Sequence, residues 1–228
     1  MSTEIFERVE KKYLLTKDQY ECLMPVIKEH VKEDLYPVSE IHNLYFDTKE
    51  DTLIRNSLEK PVYKEKLRIR SYKVPEPNDP VYLEIKKKFE GIVYKRRKQV
   101  LYKDLKHASE EKDQIQKEIN YLIKQYPGIR PAMMIFYHRT SWIGKEEKDL
   151  RITFDTQMKM RKQDLSLEKG NYGIPLLNEN EILMEIKFLN AMPLWLAHLL
   201  DQYKIFPISF SKYGKGYLMT QKEEIIYV

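Results

Sequence analysis

The chain has 228 residues, of which 42% are hydrophobic and 12% aromatic, so the composition is globular and can bury a core. Lysine and arginine number 40 and aspartate and glutamate 35, which leaves a net charge of only +5. This near balance disfavours a general nucleic-acid-binding protein, and we expect no nucleic-acid partner. A site for polyanions would therefore require local clustering of cations.

Cys22 is the single cysteine, which excludes a disulfide within the chain and a cysteine-rich zinc site. This favours a reducing compartment. The N-terminal residues lack the apolar region of a secretory signal. The sequence contains no run of about 18 apolar residues, so we predict no membrane-spanning helix. We therefore predict a cytoplasmic protein without a transmembrane segment, folded as a single domain over residues 1–228.

The first elements follow clear local signals. Alternation predicts a strand from Glu4 to Leu15. Thr16 then has the features of a helix N-cap, with Gln19 completing a capping box, and Pro25 should kink or divide the helix that follows. A strand over 41–48 and a short helix over about 50–56 come next.

Three strands rich in lysine and arginine follow, over about 62–72, 80–89 and 92–102. Glu90-Gly91 joins the last two as a hairpin turn. A helix is predicted over about 109–125, and Pro127-Gly128 ends it.

The remaining chain alternates between strands and one helix. We predict strands over 133–143, 150–156, 181–188 and 206–210, a loop over 162–180, and a helix over 193–203. The segment after Ser211 turns away from the last strand. Hairpins dominate this order, so the predicted fold class is α+β: an eight-stranded antiparallel tunnel or barrel with flanking helices.

The segment Tyr63–Ser71 places four cations on one face of its strand and mainly apolar residues on the other. The cations of this face are Lys64, Lys66, Arg68 and Arg70. Such a face is either solvated or lines a cavity that holds a polyanion. The next two segments repeat this cationic pattern. In Tyr82–Lys88, Lys86 and Lys88 lie on the same face of the strand as Glu84, and Tyr94–Lys98 is mostly cationic. This repetition favours the cavity.

Short sequences recur in the two halves of the chain. Tyr45-Phe-Asp-Thr48 resembles Thr153-Phe-Asp-Thr156, and Leu83-Glu-Ile-Lys86 resembles Met184-Glu-Ile-Lys187. One interpretation is chance similarity between common strand sequences. The other is two similar half-barrels that supply matched Glu-x-Lys pairs to one lumen.

Motifs of other phosphate-binding and catalytic sites are missing from the sequence. It has no Gly-x-x-x-x-Gly-Lys-Ser/Thr or Gly-x-Gly-x-x-Gly loop, no nucleophile elbow and no histidine pair at metal-binding spacing. With 7 glycines in the chain, side chains rather than a backbone loop would have to bind phosphate. Arginine and lysine are suited to this role.

The chain resembles the triphosphate tunnel (CYTH-like) superfamily, and within it the polyphosphate polymerase domain of the vacuolar transporter chaperone (VTC) complex. The similarity runs in family order over nearly the whole chain. The pieces that carry it are Glu10-Lys-Lys-Tyr13, Tyr45-Phe-Asp-Thr48, Leu67-Arg-Ile-Arg70, Leu83-Glu-Ile-Lys86, Tyr137-His-Arg-Thr140, Leu150–Thr156, Met184-Glu-Ile-Lys187 and Ser211-Lys-Tyr213.

The resemblance implies a basic tunnel that binds ATP and polyphosphate and transfers the γ-phosphate of ATP to a growing polyphosphate chain with Mn²⁺ or Mg²⁺. It implies that catalysis involves Lys86, Arg139, Arg151 and Lys212. The phosphate ligands it implies are Arg8, Lys12, Arg68, Arg70, Lys86, Lys95, Arg97, Arg139, Arg151, Lys187, Ser211 and Lys212. The metal ligands it implies are Glu185, Glu84 and Glu10.

One departure concerns the first strand. Triphosphatase and adenylyl cyclase members begin with Glu-x-Glu-x-Lys, whereas this chain has Arg8-Val-Glu10-Lys-Lys12. Loss of an acid should weaken a two-metal hydrolytic site, and an added arginine suits a longer phosphate chain. This favours the polymerase. An inorganic triphosphatase and a non-catalytic polyphosphate-binding module are the alternatives.

Overall fold

The structure, a computed structural model, describes residues 8–226 apart from 60, 91, 111 and 112, and it describes no side chain for 8, 108–110 and 222–226. The strands in this part of the chain are β1 (Arg8–Thr16), β2 (Val31–Asp47), β3 (Tyr63–Ser71), β4 (Pro80–Phe89), β5 (Ile92–Leu101), β6 (Arg130–Gly144), β7 (Arg151–Arg161), β8 (Ile174–Pro175) and β9 (Glu181–Leu189). The α-helices are α1 (Lys17–His30), α2 (Thr52–Leu58), α3 (Gln114–Gln125), α4 (Leu194–Gln202) and α5 (Lys212–Ile226).

The strands form one sheet in the order β1-β9-β7-β6-β2-β3-β4-β5, with β8 paired to β7. The strand pairs with a resolved register are antiparallel. The predicted α+β class with flanking helices is confirmed. Within the described residues β1 and β5 end this order, so the sheet is not closed into a barrel. β5 carries the run Lys95-Arg-Arg-Lys98, and charged side chains on an edge strand disfavour pairing with a further strand.

The chain divides into two compact units, each made of separate segments. The first unit takes the residues up to 39, 137–158 and 177–210, and the second takes 40–136, 159–176 and those from 211 onward. Each unit has a hydrophobic core. In the first, α1 and α4 pack with β1, β7 and β9 around Phe154 and Met184. In the second, α3 packs with β3, β4 and β5 around Ile85 and Leu122.

The capping box at the start of α1 is confirmed. The amide of Gln19 donates to Thr16 Oγ1 at 3.1 Å, and the amide of Thr16 donates to Gln19 Oε1 at 3.0 Å. Of the two effects predicted for Pro25, division of the helix is wrong, because α1 runs unbroken from Lys17 to His30. Pro25 and Glu21 are both exposed, so water can bond the carbonyl that loses its helical partner.

The prediction of a strand over 206–210 is also wrong. The segment makes one backbone bond to β1, from the amide of Ile208 to the carbonyl of Lys12 at 2.7 Å. Pro207 has no amide hydrogen to extend this bond into a ladder. Three other predictions fall partly on residues that are not described: residues 4–7 of the first strand, Gly91 of the hairpin turn, and residues 111 and 112 of the helix predicted over about 109–125. No helix in the described part of the chain has the length and apolar character needed to cross a lipid bilayer.

Helix α5 was not predicted, because Gly214 and Gly216 weaken the helical signal in its first turns. The structure shows a close approach of two elements at Gly216. A Cβ atom there would lie 2.6 Å from the Met133 Sδ of β6, so the missing side chain allows α5 to pack close to this strand.

Asp47 connects α5 to the rest of the second unit. This side chain is 0% exposed, and its Oδ1 accepts from the amides of Thr48 and Leu53, both at 2.8 Å. Its Oδ2 accepts from the amide of Ile54 at 3.0 Å and from the hydroxyl of Tyr213 at 2.8 Å. A single carboxylate therefore caps α2 and fixes the first turn of α5.

Replacement of Asp47 by alanine should lower the free energy of unfolding by about 4 kcal/mol, because buried amides and a buried hydroxyl lose their acceptor. Urea denaturation followed by circular dichroism measures the change. Tyr213→Phe is the matched control and should cost only about 1 kcal/mol, since it removes one of these hydrogen bonds. Equal losses in the two variants would contradict the role assigned to Asp47.

Candidate functional site

The cationic side chains of the second unit lie in rows across β2, β3, β4 and β5. One row, defined by the residues paired across the sheet, is Tyr45, Arg68, Glu84 and Arg97. The neighbouring rows are Asn43, Arg70, Tyr82 and Gln99, and Lys66, Lys86 and Lys95. Opposed residues share a face of the sheet, so these side chains form one polar face. Leu67, Ile69 and Ile85 point to the other face, which is the core.

Glu84 lies at the centre of this face and is only 2% exposed. Its Oε2 accepts from Arg68 at 2.6 and 2.8 Å, and its Oε1 is 3.0 Å from Arg97 Nε and 3.3 Å from Lys95 Nζ. Arg70 Nε lies 4.0 Å from Oε2. We call Glu84 and these four cations the Glu84 cluster. A single buried acid therefore holds three of the predicted phosphate ligands by direct ion pairs and lies near a fourth.

Ionisation within the cluster is shifted by the excess of cations. Burial alone would raise the pKa of Glu84, but Arg68, Arg70 and Lys95 outweigh it and lower that pKa to about 2. Burial lowers the pKa of Lys95 to about 8, since the neighbouring arginines add to this effect and Glu84 only partly opposes it. The cluster is therefore charged at neutral pH and begins to lose positive charge near pH 8.

Tyr45 and Asn43 orient the two arginines of β3. The Tyr45 hydroxyl accepts from Arg68 Nη1 at 2.9 Å, and Asn43 Oδ1 accepts from Arg70 Nε at 2.9 Å. Burial would raise the pKa of Tyr45, yet the nearby Arg68, Arg70 and Lys66 lower it to about 8. Neither Tyr45 nor Asn43 was among the predicted site residues. Their positions opposite Arg68 and Arg70 in the sheet are the signal that would have identified them.

The lysine row is different, because it places like charges on adjacent strands. Lys86 on β4 lies directly opposite Lys66 on β3 and directly opposite Lys95 on β5. Lys66 Nζ donates to Ser211 Oγ at 3.0 Å. Lys86 is exposed, and among the described side chains it has no acidic partner. Directly opposed like charges destabilise a sheet, so this row would be stabilised by a bound anion.

The cations of the first unit gather around Glu185. Lys12 Nζ lies 4.0 Å from Glu185 Oε1 and 3.4 Å from Glu10 Oε1, and it donates to the carbonyl of Phe210 at 2.9 Å. Lys187 Nζ lies 3.8 Å from both Glu185 and Glu10. We call this set, together with Arg139 and Asp155, the Glu185 cluster. Its cations and acids are more nearly balanced than those of the Glu84 cluster.

Asp155 holds Arg139 by two parallel bonds of 2.6 and 2.7 Å, and Arg139 Nη2 also lies 3.3 Å from Glu185 Oε2. Burial would lower the pKa of Arg139, but Asp155 and Glu185 outweigh it and raise that pKa well above the ordinary value. Asp155 is 0% exposed and was not predicted as a site residue. The sequence shows that Asp155 belongs to the recurring Phe-Asp-Thr motif, but it does not show that Arg139 is the partner of this carboxylate.

The remaining predicted residues are placed as follows. Arg151 pairs with Asp34 at 2.7 Å, and Ser211 Oγ accepts from the amide of Gly214 at 3.1 Å at the start of α5. Lys212 is the first residue of this helix and is half-buried. Arg8 begins β1, but its side chain lies outside the described residues.

The predicted metal ligands differ in how well they suit a divalent ion. Within the described residues, no group of three acidic, histidine or cysteine side chains could enclose a metal. Glu10 and Glu185 can supply two carboxylates from one cluster. This suits Mg²⁺ or Mn²⁺, which use few protein carboxylates together with water and phosphate oxygens. Both oxygens of Glu84 are occupied by cations, so its surroundings suit an ion-pair role better.

Two solved structures share this fold. A putative adenylate cyclase from Bacillus halodurans matches with a TM-score of 0.57 and 14% identity, over 90% of this chain and 93% of the other. A putative adenylyl cyclase from Hippeastrum, described as having a dominant triphosphatase activity, matches with a TM-score of 0.52 and 16% identity, over 91% and 93% of the two chains. No curated protein matches the sequence.

The antiparallel sheet with flanking helices is the fold that this chain shares with these two structures. The chain belongs to the VTC domain family, whose model matches residues 7–221. The family predicted from the ordered motifs is therefore confirmed.

Replacement of Glu84 by glutamine should lower the free energy of unfolding by about 3 kcal/mol at pH 7. The stabilisation comes from a pKa of about 2 in the folded state against an ordinary value of 4.5. It is present above pH 4.5 and is lost as the pH falls towards 2. The difference in the free energy of unfolding between wild type and variant should therefore shrink as the pH falls through this window. Urea denaturation at several pH values measures it.

Glu118→Gln is the matched control. Glu118 pairs with Lys87 and Arg96 at 3.3 and 3.5 Å, outside the Glu84 cluster, and its side chain is 20% exposed. Arg96 is 49% exposed, and the side chains of Lys87 and Glu118 are partly in contact with solvent, so ion pairs of this kind are worth about 1 kcal/mol or less. A loss for Glu118→Gln equal to that for Glu84→Gln would contradict the central role of Glu84.

Proposed function

We propose that this protein is an ATP-dependent polyphosphate polymerase that transfers the γ-phosphate of ATP to a growing polyphosphate chain. The row Lys66, Lys86 and Lys95 is the observation that carries the proposal. It combines opposed like charges with an exposed central ammonium that has no acidic partner among the described side chains. A chain of phosphates carries regularly spaced negative charge and would relieve this repulsion. Membership of the VTC domain family supports the same ligand.

In this mechanism phosphate groups bind lysine and arginine side chains, which each cluster offers on its own unit. Arg68, Arg70 and Arg139 are held in place by acid or amide partners before a ligand arrives, so binding requires little reordering of their side chains. A lysine ammonium group is a point charge, so it attracts a phosphate group in many orientations. Lys86, Lys95 and Lys187 are proposed to act in this way. Arg8, Lys12, Arg151, Ser211 and Lys212 are proposed as the further phosphate ligands.

The reaction forms a P–O bond between the terminal oxygen of the acceptor and the γ-phosphorus, and it breaks the bond to the β-phosphate, so that ADP leaves. The acceptor oxygen is already anionic, so no general base is required. Lysine and arginine side chains oppose the repulsion between donor and acceptor and stabilise charge on the departing ADP. A Mn²⁺ or Mg²⁺ ion, held by Glu185 and Glu10, would supply further neutralisation at phosphate oxygens.

Two alternative functions use the same ligand chemistry. The Hippeastrum structure with a dominant triphosphatase activity supports an inorganic triphosphatase. Arg8 in place of the first acid of the triphosphatase strand favours the polymerase. A non-catalytic polyphosphate-binding module would bind the anion without turnover, but it would gain nothing from the acids Glu10 and Glu185. We also propose that the chain functions in the cytoplasm as a single domain.

Purified protein incubated with ATP and Mn²⁺ should form long anionic chains that are visible on a polyphosphate gel. Lys86→Ala and Arg139→Ala should each reduce polymer formation by at least about 100-fold, because each removes charge stabilisation from the transferred phosphate. Circular dichroism should show that both variants remain folded.

The matched control is Lys106→Ala, an exposed lysine of the 3₁₀ segment that follows β5, which should leave activity unchanged. Release of free phosphate without long products would select the triphosphatase, and binding without turnover would select the binding module. Unchanged ATP turnover in Lys86→Ala would contradict the assignment of this residue.

Affinity for inorganic tripolyphosphate should fall as the pH rises above 8. Lys95 then loses its positive charge and Tyr45 becomes an anion, since both have a pKa of about 8. Each proton that must be taken up on binding raises the dissociation constant up to about tenfold per pH unit. Isothermal titration calorimetry between pH 7 and 9.5 measures this dependence.

Lys95→Arg retains a charged side chain throughout this range, so its affinity should depend less steeply on pH than that of the wild type. A wild-type dissociation constant that stays level from pH 7 to 9.5 would show that neither Lys95 nor Tyr45 contributes to anion binding.

A further inference from the structure

We propose that Arg97, Tyr72 and Tyr82 form a stacking platform for the base of a nucleotide, so that the second unit prefers a nucleoside triphosphate to an inorganic phosphate chain. This inference rests on the proposed function, because it names the substrate class of the same polar face. It also gives Arg97 a role other than the phosphate ligand that the family resemblance implies. We call these three residues the Arg97 platform.

The three side chains are in direct contact. The guanidinium carbon of Arg97 lies 3.9 Å from the ring centroid of Tyr82 and 5.4 Å from that of Tyr72. The two tyrosine rings meet edge to face, with centroids 5.6 Å apart and an interplanar angle of 80°. Such contacts between arginine and aromatic faces are attractive and favour a defined orientation of the guanidinium plane.

An ion pair and a hydrogen bond restrain the same plane. Arg97 Nε lies 3.0 Å from Glu84 Oε1, and Arg97 Nη2 donates to the hydroxyl of Tyr72. A guanidinium binds a phosphate best through two parallel N–H groups at one edge. Because Glu84 and Tyr72 already occupy groups at two of the three nitrogens, Arg97 is better arranged to present its face than its edge.

The platform is open to a ligand. The side chain of Arg97 is 37% exposed, and Tyr82 covers one face of its guanidinium. A planar base can therefore stack on the opposite face, since bases stack readily on arginine planes as well as on aromatic rings. Gln99 lies opposite Tyr82 in the sheet and is exposed, so its amide can both donate to and accept from the edge of a base.

The position relative to the lysine row fits a nucleotide. Lys95 precedes Arg97 by two residues on the same strand, so their side chains share a face and their Cα atoms are about 7 Å apart. Lys95 lies opposite Lys86. Phosphates bound at the lysine row would thus leave the base of the same molecule within reach of the Arg97 platform.

Calorimetric titration with ATP, CTP and inorganic tripolyphosphate tests the platform. Wild type should bind ATP more tightly than CTP, because a purine has the larger stacking area. Tyr82→Leu and Arg97→Lys should each weaken ATP binding by about tenfold and bring the ATP and CTP affinities together. Tripolyphosphate affinity should change less than twofold, since Tyr82 carries no charge and lysine keeps the charge of Arg97.

Gln99→Ala, at an exposed position, provides a second test that does not depend on packing against Tyr82. It should weaken ATP binding several-fold and leave tripolyphosphate binding unchanged. Equal affinity of the wild type for ATP, CTP and tripolyphosphate would overturn the platform alone. The same conclusion would follow if Arg97→Lys weakened ATP and tripolyphosphate equally. Wild-type protein that binds neither ATP nor tripolyphosphate would overturn the proposed function as well.

Discussion

The second unit depends on one buried carboxylate that holds an excess of cations on a sheet face. Glu84 is 2% exposed and makes ion pairs with Arg68, Lys95 and Arg97, while Arg70 lies within 4.0 Å. Without this acid, four cations would repel one another, and burying them would be costly. With it, they keep a net positive charge that a phosphate chain can neutralise. The acid thus stabilises the folded protein in the absence of ligand while leaving the face attractive to anions.

The Glu185 cluster shares this plan but differs in its balance of charge. Glu185 also lies on a central strand among cations, yet Glu10 and Asp155 bring additional carboxylates into its surroundings. Burial lowers the pKa of Lys187, although Glu185 and Glu10 oppose that shift. The several acids of the Glu185 cluster suit a divalent metal, whereas the single acid of the Glu84 cluster suits phosphate groups bound without a metal. The two Glu-x-Lys motifs, although alike in sequence, are therefore suited to different ligands.

Much of the fold and part of the site could be predicted from the sequence. Alternation located β3, β4 and β5 to within about one residue and placed Arg68 and Arg70 on the polar face, because alternation follows directly from strand geometry. Helix α5 was missed because the glycine at 216 reflects a tertiary contact with Met133 rather than a local preference. Asp155 and Tyr45 were missed for a related reason, since their partners lie on other strands whose register the sequence does not reveal.

The anchoring of α5 has a consequence for how the second unit forms. Tyr213 stacks on Tyr45 at 4.7 Å, and Tyr45 in turn accepts a hydrogen bond from Arg68. The arrangement around Arg68 is therefore complete only after contacts between residues more than 160 positions apart in the chain have formed. Contacts of such long sequence separation slow folding, because the entropy of closing a long loop is lost before they form. During synthesis on the ribosome, the cations of β3 to β5 would emerge well before the residue that completes their surroundings.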